Sequence, residues 1–238
     1  MSSDRQAMDS NRAVTGAEGS GSGAYVVRRM RWAETIFALV LMAYTALAVL
    51  ANRYAYFEWD LRLARWIQSL HGFGFDSLME WISIPGSGWT PFFLVVAIGL
   101  GLFGARLRLE ALALTSGVGL GALLNRFLKQ LIGRPRPSNL LLHIDGRYRL
   151  ESFPSGHVMF FVEFFGFAFV LCYVLMKRGA LRTAMMSLLG SLIALIGVSR
   201  VWLGAHWPSD VAGAYLAGGI WLFITIGFYR RLKPTGNE

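Results

Sequence analysis

Three short segments of the sequence concentrate polar side chains of the types that handle phosphate groups. These segments are residues 129–137, 154–157 and 199–210. Lys129, Arg136 and Arg200 would repel one another on a single surface unless an anion lay among them. Arginine offers a planar fork that matches phosphate oxygens, and lysine offers a compact charge. We therefore expect these three cations to bind a phosphate group.

The second segment, Pro-Ser-Gly-His, is typical of the start of a helix. Ser155 is predicted to be the N-cap residue, and Gly156 follows it. A helix N-terminus presents free backbone N–H groups and the positive end of the helix dipole. Glycine at this point lets a ligand approach the backbone closely. We therefore expect Ser155 and Gly156 to complete the phosphate site.

Two histidines, His157 and His206, have the chemistry for phosphoryl transfer. His206 precedes Asp210 by four residues, which is one turn if a helix begins near residues 207–208. Asp210 would then hold one ring N–H of His206 and leave the other nitrogen free to attack phosphorus. His157 would donate a proton to the departing oxygen. The pattern predicts phosphoryl transfer through a phosphohistidine, with the cations stabilising the developing charge.

The remaining polar residues near these segments are assigned other roles. No cluster of carboxylates suited to Mg²⁺ accompanies them in the sequence, so we predict a site without metal or cofactor. Arg134 is predicted to lie at the rim of the site or against a lipid headgroup. Glu163 lies inside an apolar run, where an ionisable residue is costly, and we expect it to hydrogen-bond to a neighbouring helix.

The composition indicates which kind of fold must position these residues. Of the 238 residues, 55% are hydrophobic and only 16% are charged, whereas a soluble domain is about 25% charged. The mean hydropathy is +0.47. The net charge of +9 comes from short clusters of Lys and Arg between long apolar runs. That distribution is typical of a membrane protein and argues against a nucleic-acid partner.

Six apolar runs approach or reach the roughly 20 residues that a helix needs to cross a bilayer. They are residues 32–51, 89–105, 111–128, 155–176, 181–199 and 211–229. The predicted fold is therefore an all-α bundle of six transmembrane helices. Residues 53–80 are amphipathic and aromatic, and we expect them to lie in the membrane interface. With six alternating spans, the three polar segments fall on the same side of the membrane.

The chain is predicted to consist of one membrane domain, residues 28–232, between two tails. Residues 1–27 are rich in Ser, Gly, Asp and Asn and are predicted to be disordered, and residues 233–238 form a C-terminal tail. Outside the three polar segments, most Lys and Arg residues fall on the side of the two termini. The positive-inside rule therefore predicts cytoplasmic termini in a cell (inner) membrane, with the site on the outer or periplasmic side.

The three segments, in this order, resemble the motifs of the type-2 phosphatidic acid phosphatase superfamily. Residues 129–137 fit its Lys-x6-Arg-Pro element, residues 154–157 fit Pro-Ser-Gly-His, and residues 199–210 fit Ser-Arg-x5-His-x3-Asp. The resemblance covers about residues 30–232 and implies a metal-independent enzyme with a six-helix core. It implies His206 as nucleophile, Asp210 as its partner and His157 as general acid. The phosphate-binding residues that it implies are Lys129, Arg136, Ser155, Gly156 and Arg200.

The expected function is that of an integral membrane phosphatase acting on a lipid phosphate or diphosphate. The candidate substrates are undecaprenyl diphosphate, phosphatidylglycerol phosphate, phosphatidic acid and lipid A 1-phosphate. One alternative is a phosphotransferase that passes the phosphate to another lipid hydroxyl, and a second is an anion or lipid transporter without hydrolysis. The expected partners are the lipid substrate and the bilayer, and the sequence indicates no oligomeric state.

Overall fold

The computed structural model describes residues 32, 34–72, 74–146, 148 and 150–233. The predicted tails lie outside these residues, apart from Lys233. The described residues form eight α-helices and no strand. The helices are α1 (Glu34–Arg53), α2 (Glu58–Gln68), α3 (Phe75–Ser83), α4 (Thr90–Gly104), α5 (Arg108–Ile132), α6 (Gly156–Leu175), α7 (Ala180–Trp202) and α8 (Pro208–Leu232). The predicted all-α membrane fold is confirmed.

The chain divides into two compact units, Met1–Met42 and Ala43–Glu238. Within the first unit, the structure describes residue 32 and the beginning of α1, from Glu34. The second unit contains the rest of α1 and helices α2–α8. All the residues predicted to do chemistry belong to this second unit.

Five of the described helices, α1 and α5–α8, are long and apolar enough to cross a membrane. A sixth crossing is made only if α3 and α4 are taken together, as Phe75–Gly86 and Thr90–Gly104 meet at an angle of 62°. The predicted helix over residues 89–105 corresponds to α4, but α4 alone is too short to make the sixth crossing. The 15 residues of α4 span only about 22 Å, less than the ~30 Å of the hydrocarbon core.

Helix α5 shows how the sequence separates a lipid-facing side from a packed side. Its buried positions include Leu114, Val118, Asn125 and Lys129, which recur every three to four residues along one face. Its exposed large apolar side chains are Leu112, Leu120, Leu123, Phe127 and Leu131. Gly133 ends the helix with a φ of 65°, and its N–H bonds Lys129 O at 2.9 Å. This end places the buried Lys129 in the last turn of α5.

Helix α6 lies at the centre of the packed helices and contacts α5, α7 and α8. It buries apolar residues around its whole circumference, and the rings of Phe161 and Phe165 lie 4.8 Å apart. Glu163 on this helix is only 4% exposed, and its Oε1 makes no hydrogen bond. The predicted interhelical hydrogen bond is therefore not made by this atom. Its carboxyl group instead lies against Gly121 of α5, where any side chain would collide with it.

Candidate active site

The predicted site residues come from the ends of four helices. Lys129 lies in the last turn of α5, His157 in the first turn of α6, Arg200 in the last turn of α7 and Asp210 in the first turn of α8. The other predicted residues, Arg136, Ser155, Gly156 and His206, lie in or beside the connecting segments. The structure brings these four helix ends together, because contacts join residues of all three segments.

His206 is only 2% exposed, and its two ring nitrogens have different neighbours. Nε2 lies 3.3 Å from Arg136 Nη1. Nδ1 lies 3.4 Å from Ser152 Oγ and 3.6 Å from Asp210 Oδ2. With its proton on Nδ1, the ring presents a lone pair at Nε2 toward the cation.

Burial lowers the pKa of His206 well below its ordinary value of 6.5, and the positive charges of Arg136, Lys129 and Arg200 lower this pKa further. The imidazole is therefore neutral at neutral pH. A neutral ring is the form that can act as a nucleophile at phosphorus.

Asp210 is held differently from the prediction. Its Oδ2 is 3.6 Å from His206 Nδ1, which is longer than a hydrogen bond. The Ser152 hydroxyl hydrogen-bonds to Asp210 Oδ2 and lies beside the imidazole. The Trp207 N–H also donates to Asp210 Oδ2, at 2.9 Å, so the carboxylate anchors the start of α8. Ser152 thus shares with Asp210 the contact to Nδ1.

Arg134 is 1% exposed, so its predicted place at the rim of the site is wrong. Its Nη1 lies 2.5 Å from Asp210 Oδ1 and 2.7 Å from Ser209 Oγ. Its Nη2 lies 2.9 Å from Asp60 Oδ2 on α2. The physical reason is charge compensation, because two fully buried carboxylates require a buried cation.

Lys129 reaches across from α5 to the segment that precedes α6. Its Nζ donates to Glu151 O at 2.5 Å and to Ser152 O at 3.1 Å. Lys129 is buried, with only 5% of the residue exposed. Lys129 thereby fixes the strip of backbone that carries Ser152, one of the two neighbours of His206 Nδ1.

Arg136 connects the first segment to the loop before α8. Its Nε donates to Leu150 O and its Nη1 to Ala205 O, both at 2.6 Å. Burial and the nearby charge of Arg200 lower the pKa of Arg136 to about 10, so it stays cationic at neutral pH. The guanidinium carbons of Arg136 and Arg200 lie 5.0 and 5.4 Å from the centre of the Tyr148 ring. One aromatic face therefore contacts both arginines.

Ser155 is the N-cap of α6, as predicted, but its hydroxyl makes no capping hydrogen bond. Ser155 Oγ is buried and has no hydrogen-bond partner, and the same holds for Arg200 Nε. Arg200 Nη1, in contrast, donates to Ser83 Oγ. A Cβ at Gly156 would lie 3.1 Å from Asn125 Oδ1, so the glycine permits close packing of α6 on α5.

His157 follows at the second position of α6, with Nε2 3.0 Å from Ser87 Oγ. It is close enough to Arg200, His206 and Arg136 to interact electrostatically with each of them. The described part of the chain contains no group of three or more His, Cys, Asp or Glu residues arranged to hold a metal ion. The site is instead lined by cations, which suits an anionic ligand.

Sequence reasoning missed the residues that support the predicted ones. Asp60 carried a weak signal, because it shares the buried face of amphipathic α2 with Ala64 and Ile67. A carboxylate on an apolar face indicates a buried partner. Ser152 and Ser87 carried no such signal, since their partners lie 54 and 70 residues away along the chain.

The amino-acid sequence and the fold are both similar to those of known proteins. A sequence model of the PAP2 superfamily matches residues 110–234. A crystal structure of a transmembrane PAP2 type phosphatidylglycerolphosphate phosphatase from Bacillus subtilis superposes with a TM-score of 0.73 and 26% identity. The superposition covers 84% of this chain and 98% of that one.

Two curated relatives are similar over shorter stretches. Phosphatidylglycerophosphatase B of Bacillus subtilis (strain 168) is 33% identical over 144 residues, which cover 59% of this chain and 68% of the relative. A lipid A 1-phosphatase of Rhizobium johnstonii is 34% identical over 128 residues, or 48% of each chain. The chain thus aligns with about two thirds of the first relative and about half of the second.

Proposed function

The chain belongs to the PAP2 superfamily, and we propose that it hydrolyses a lipid phosphate through a phosphohistidine at His206. It is a multi-pass membrane protein, and the enzymes that it resembles are membrane lipid phosphatases. The observation that carries the proposed mechanism is the position of His206 Nε2. This nitrogen is buried and lies 3.3 Å from Arg136 Nη1.

The polar atoms without partners support a phosphate among these cations. Four buried side-chain polar atoms have no hydrogen-bond partner among the residues that the structure describes. Two of them, Ser155 Oγ and Arg200 Nε, belong to predicted phosphate-binding residues. A buried donor left unpaired costs about 1–3 kcal/mol. Phosphate oxygens would satisfy both donors and offset that cost.

In the first chemical step, His206 Nε2 attacks phosphorus and forms an N–P bond. The bond from phosphorus to the lipid oxygen breaks, and His157 gives a proton to that oxygen. Lys129, Arg136 and Arg200 stabilise the charge on the transferring phosphoryl group. Asp210 and Ser152 hold the Nδ1 side of the ring, so that Nε2 keeps its direction of attack.

In the second step, water attacks the phosphohistidine. His157, now without its acid proton, accepts a proton from that water. The N–P bond breaks, and His206 is restored with inorganic phosphate as the product. The part of the substrate that the cations and the Ser155 hydroxyl bind is the phosphoryl group, which stays in the site through both steps. The same residues therefore serve both steps.

The substrate is a phosphate carried at the end of a lipid. The site residues lie at the ends of membrane-spanning helices, where a headgroup meets them while its tail stays in the bilayer. The relatives' names indicate phosphatidylglycerol phosphate and lipid A 1-phosphate as candidate substrates. Undecaprenyl diphosphate and phosphatidic acid are the other two candidates.

We infer cytoplasmic termini and an external site from the distribution of Lys and Arg in the sequence. Leu140 is 94% exposed and follows the segment that contains Arg136. A Leu140→Cys variant in a Cys172→Ser background would therefore react with a membrane-impermeant maleimide in intact cells. Labelling only after the cells are opened would reverse the orientation.

The function is tested by phosphate release from the full chain purified in detergent, with EDTA present. The four lipids are compared with a soluble phosphate ester. The matched variants are His206→Ala and, as a control, His71→Ala, since His71 is exposed and lies outside the site. We expect release that survives EDTA, is retained in His71→Ala and is lost in His206→Ala.

Other outcomes would redirect the proposal. Phosphate that appears on a second lipid, with little free phosphate, would indicate a phosphotransferase. Anion or lipid flux in proteoliposomes without phosphate release would indicate a transporter. Wild-type turnover by His206→Ala would contradict the phosphohistidine mechanism.

A further inference from the structure

The bend between α3 and α4 forms a serine turn, which we define as residues 83–87. It consists of Ser83, the 3₁₀ turn Ile84–Gly86 and Ser87. The turn lies outside the three sequence motifs and outside the residues that match the superfamily model, 110–234. It nevertheless contacts two residues of the candidate site.

The first contact joins Ser87 to His157. Ser87 Oγ donates its single proton to Ser83 O at 2.9 Å and lies 3.0 Å from His157 Nε2. A hydroxyl has one proton and two lone pairs, so toward the imidazole Ser87 Oγ acts as acceptor. The His157 ring therefore carries a proton on Nε2, at the nitrogen that contacts the turn.

The second contact is steric. A Cβ at Gly86 would lie 2.5 Å from Cδ2 and 3.0 Å from Cγ of His157. The turn backbone therefore packs directly on the imidazole, and only glycine leaves room for this ring position. The ring is fixed from two sides, by the Gly86 backbone and by the Ser87 hydroxyl.

A third contact extends the turn to the phosphate-binding residues. Ser83 Oγ accepts a hydrogen bond from Arg200 Nη1, and both side chains are buried. The same short turn thus contacts the expected general acid and one of the expected phosphate-binding cations.

Resting on the proposed function, we propose that Gly86 and Ser87 are positioning residues that hold His157 for general acid catalysis. In the first step the imidazolium of His157 gives the proton on Nδ1 to the lipid oxygen as the bond from that oxygen to phosphorus breaks. Nε2 keeps its proton and continues to donate it to Ser87 Oγ, so the ring leaves this step neutral. In the second step the bare Nδ1 accepts the proton from the attacking water, while the Ser87 hydroxyl still holds Nε2.

The test compares leaving groups, since an acid matters only where the departing oxygen must be protonated. The full chain in detergent is assayed for kcat/KM on a long-chain alkyl phosphate and on p-nitrophenyl phosphate. This parameter reports the steps up to departure of the leaving group. The nitrophenolate departs without a proton, whereas the alkoxide needs one.

We expect Ser87→Ala to lower kcat/KM about tenfold on the alkyl phosphate and less than twofold on p-nitrophenyl phosphate. General acid catalysis supplies about 10²–10⁴-fold in total, of which positioning is a part. Ser87→Thr keeps the hydroxyl and should restore most of the activity. Ser116→Ala is the matched control, because Ser116 is an exposed serine whose hydroxyl bonds only within α5.

Gly86→Ala should give the same selective loss, because the added methyl group displaces the ring. Its control is Gly101→Ala in α4, where a Cβ would meet nothing within 4 Å. An equal loss on both substrates, or wild-type values for Ser87→Ala on the alkyl phosphate, would overturn the positioning role.

The companion variant His157→Ala separates this inference from the proposed function. If His157→Ala loses alkyl phosphate turnover and Ser87→Ala does not, only the positioning role of the turn fails. If His157→Ala keeps wild-type turnover on the alkyl phosphate, the general acid and its positioning fail together.

Discussion

Arg134 Nη1 lies 2.5 Å from Asp210 Oδ1, and both side chains are completely buried. The carboxylate that adjoins the expected nucleophile, His206, is thus bound by an arginine from a different segment of the chain. The same guanidinium also binds Asp60 of α2, 74 residues before it in the sequence. One cation therefore ties the start of α8 to α2 and to the loop after α5.

Removal of Arg134 should destabilise the protein strongly. Arg134→Leu leaves the carboxylates of Asp60 and Asp210 buried without their cation, and breaking a buried ion pair in this way costs about 3–5 kcal/mol. The control is Arg126→Leu on the exposed side of α5. Thermal unfolding in detergent measures the difference, and equal midpoints for the two variants would contradict the structural role of the network.

The neutral state of His206 predicts the acid limb of the pH profile. The pKa of His206 lies well below 6.5. As the pH is lowered, kcat/KM should therefore fall only at pH values well below 6.5, where His206 becomes protonated. Arg136→Gln removes a nearby positive charge, raises the pKa of His206 and should move the acid limb to higher pH. The ionisation of the substrate is common to both profiles and cancels in the comparison. An acid limb that stays in place, or moves to lower pH, would contradict this electrostatic assignment.

Arg200 should contribute strongly to the binding of phosphate mimics. A hydrogen bond to a charged group contributes about 1.5–3 kcal/mol, which corresponds to about 10- to 150-fold in affinity. Arg200→Ala should therefore raise the inhibition constant of vanadate by that factor. Arg62→Ala, on the exposed face of α2, serves as the matched arginine control. Equal vanadate inhibition in the two variants would exclude Arg200 from the phosphate site.

Two glycines of α8 should respond in opposite ways to the same substitution. A Cβ at Gly213 would collide with the Phe153 ring, which adjoins Ser152 in the site, whereas a Cβ at Gly219 would meet nothing within 4 Å. Gly213→Ala should destabilise the protein by about 1–3 kcal/mol through overpacking. Gly219→Ala should be neutral or stabilise by up to about 1 kcal/mol through helix propensity. Unfolding midpoints check the order, and a reversed order would contradict the packing of Phe153.

The long helices follow directly from the sequence because each is encoded in a continuous apolar run. The predicted residues 155–176 and 181–199 correspond to α6 (Gly156–Leu175) and α7 (Ala180–Trp202) within a few residues. The bent pair α3–α4 could not be predicted in this way. An apolar run reports burial in lipid or protein, but it does not report a 62° change of direction.

Site residues could be predicted from the sequence where their roles follow from local spacing. They could not be predicted where their roles depend on tertiary contacts. The four-residue step from His206 to Asp210 is local, and it places the two side chains 3.6 Å apart. The contacts of Asp60 and Ser87 join distant parts of the chain, and only the packing of helices brings them to the site. Arg134 was misassigned because its charge alone does not reveal two buried carboxylates.

A covalent phosphohistidine at His206 can be demonstrated by trapping it. Wild-type protein is mixed with a lipid phosphate carrying radiolabelled phosphorus, quenched in alkali and digested for mass spectrometry. We expect an alkali-stable, acid-labile phosphoryl group on the peptide that contains His206, and none in His206→Ala. Label on another residue, or undiminished phosphate release by His206→Ala, would rule out His206 as the nucleophile.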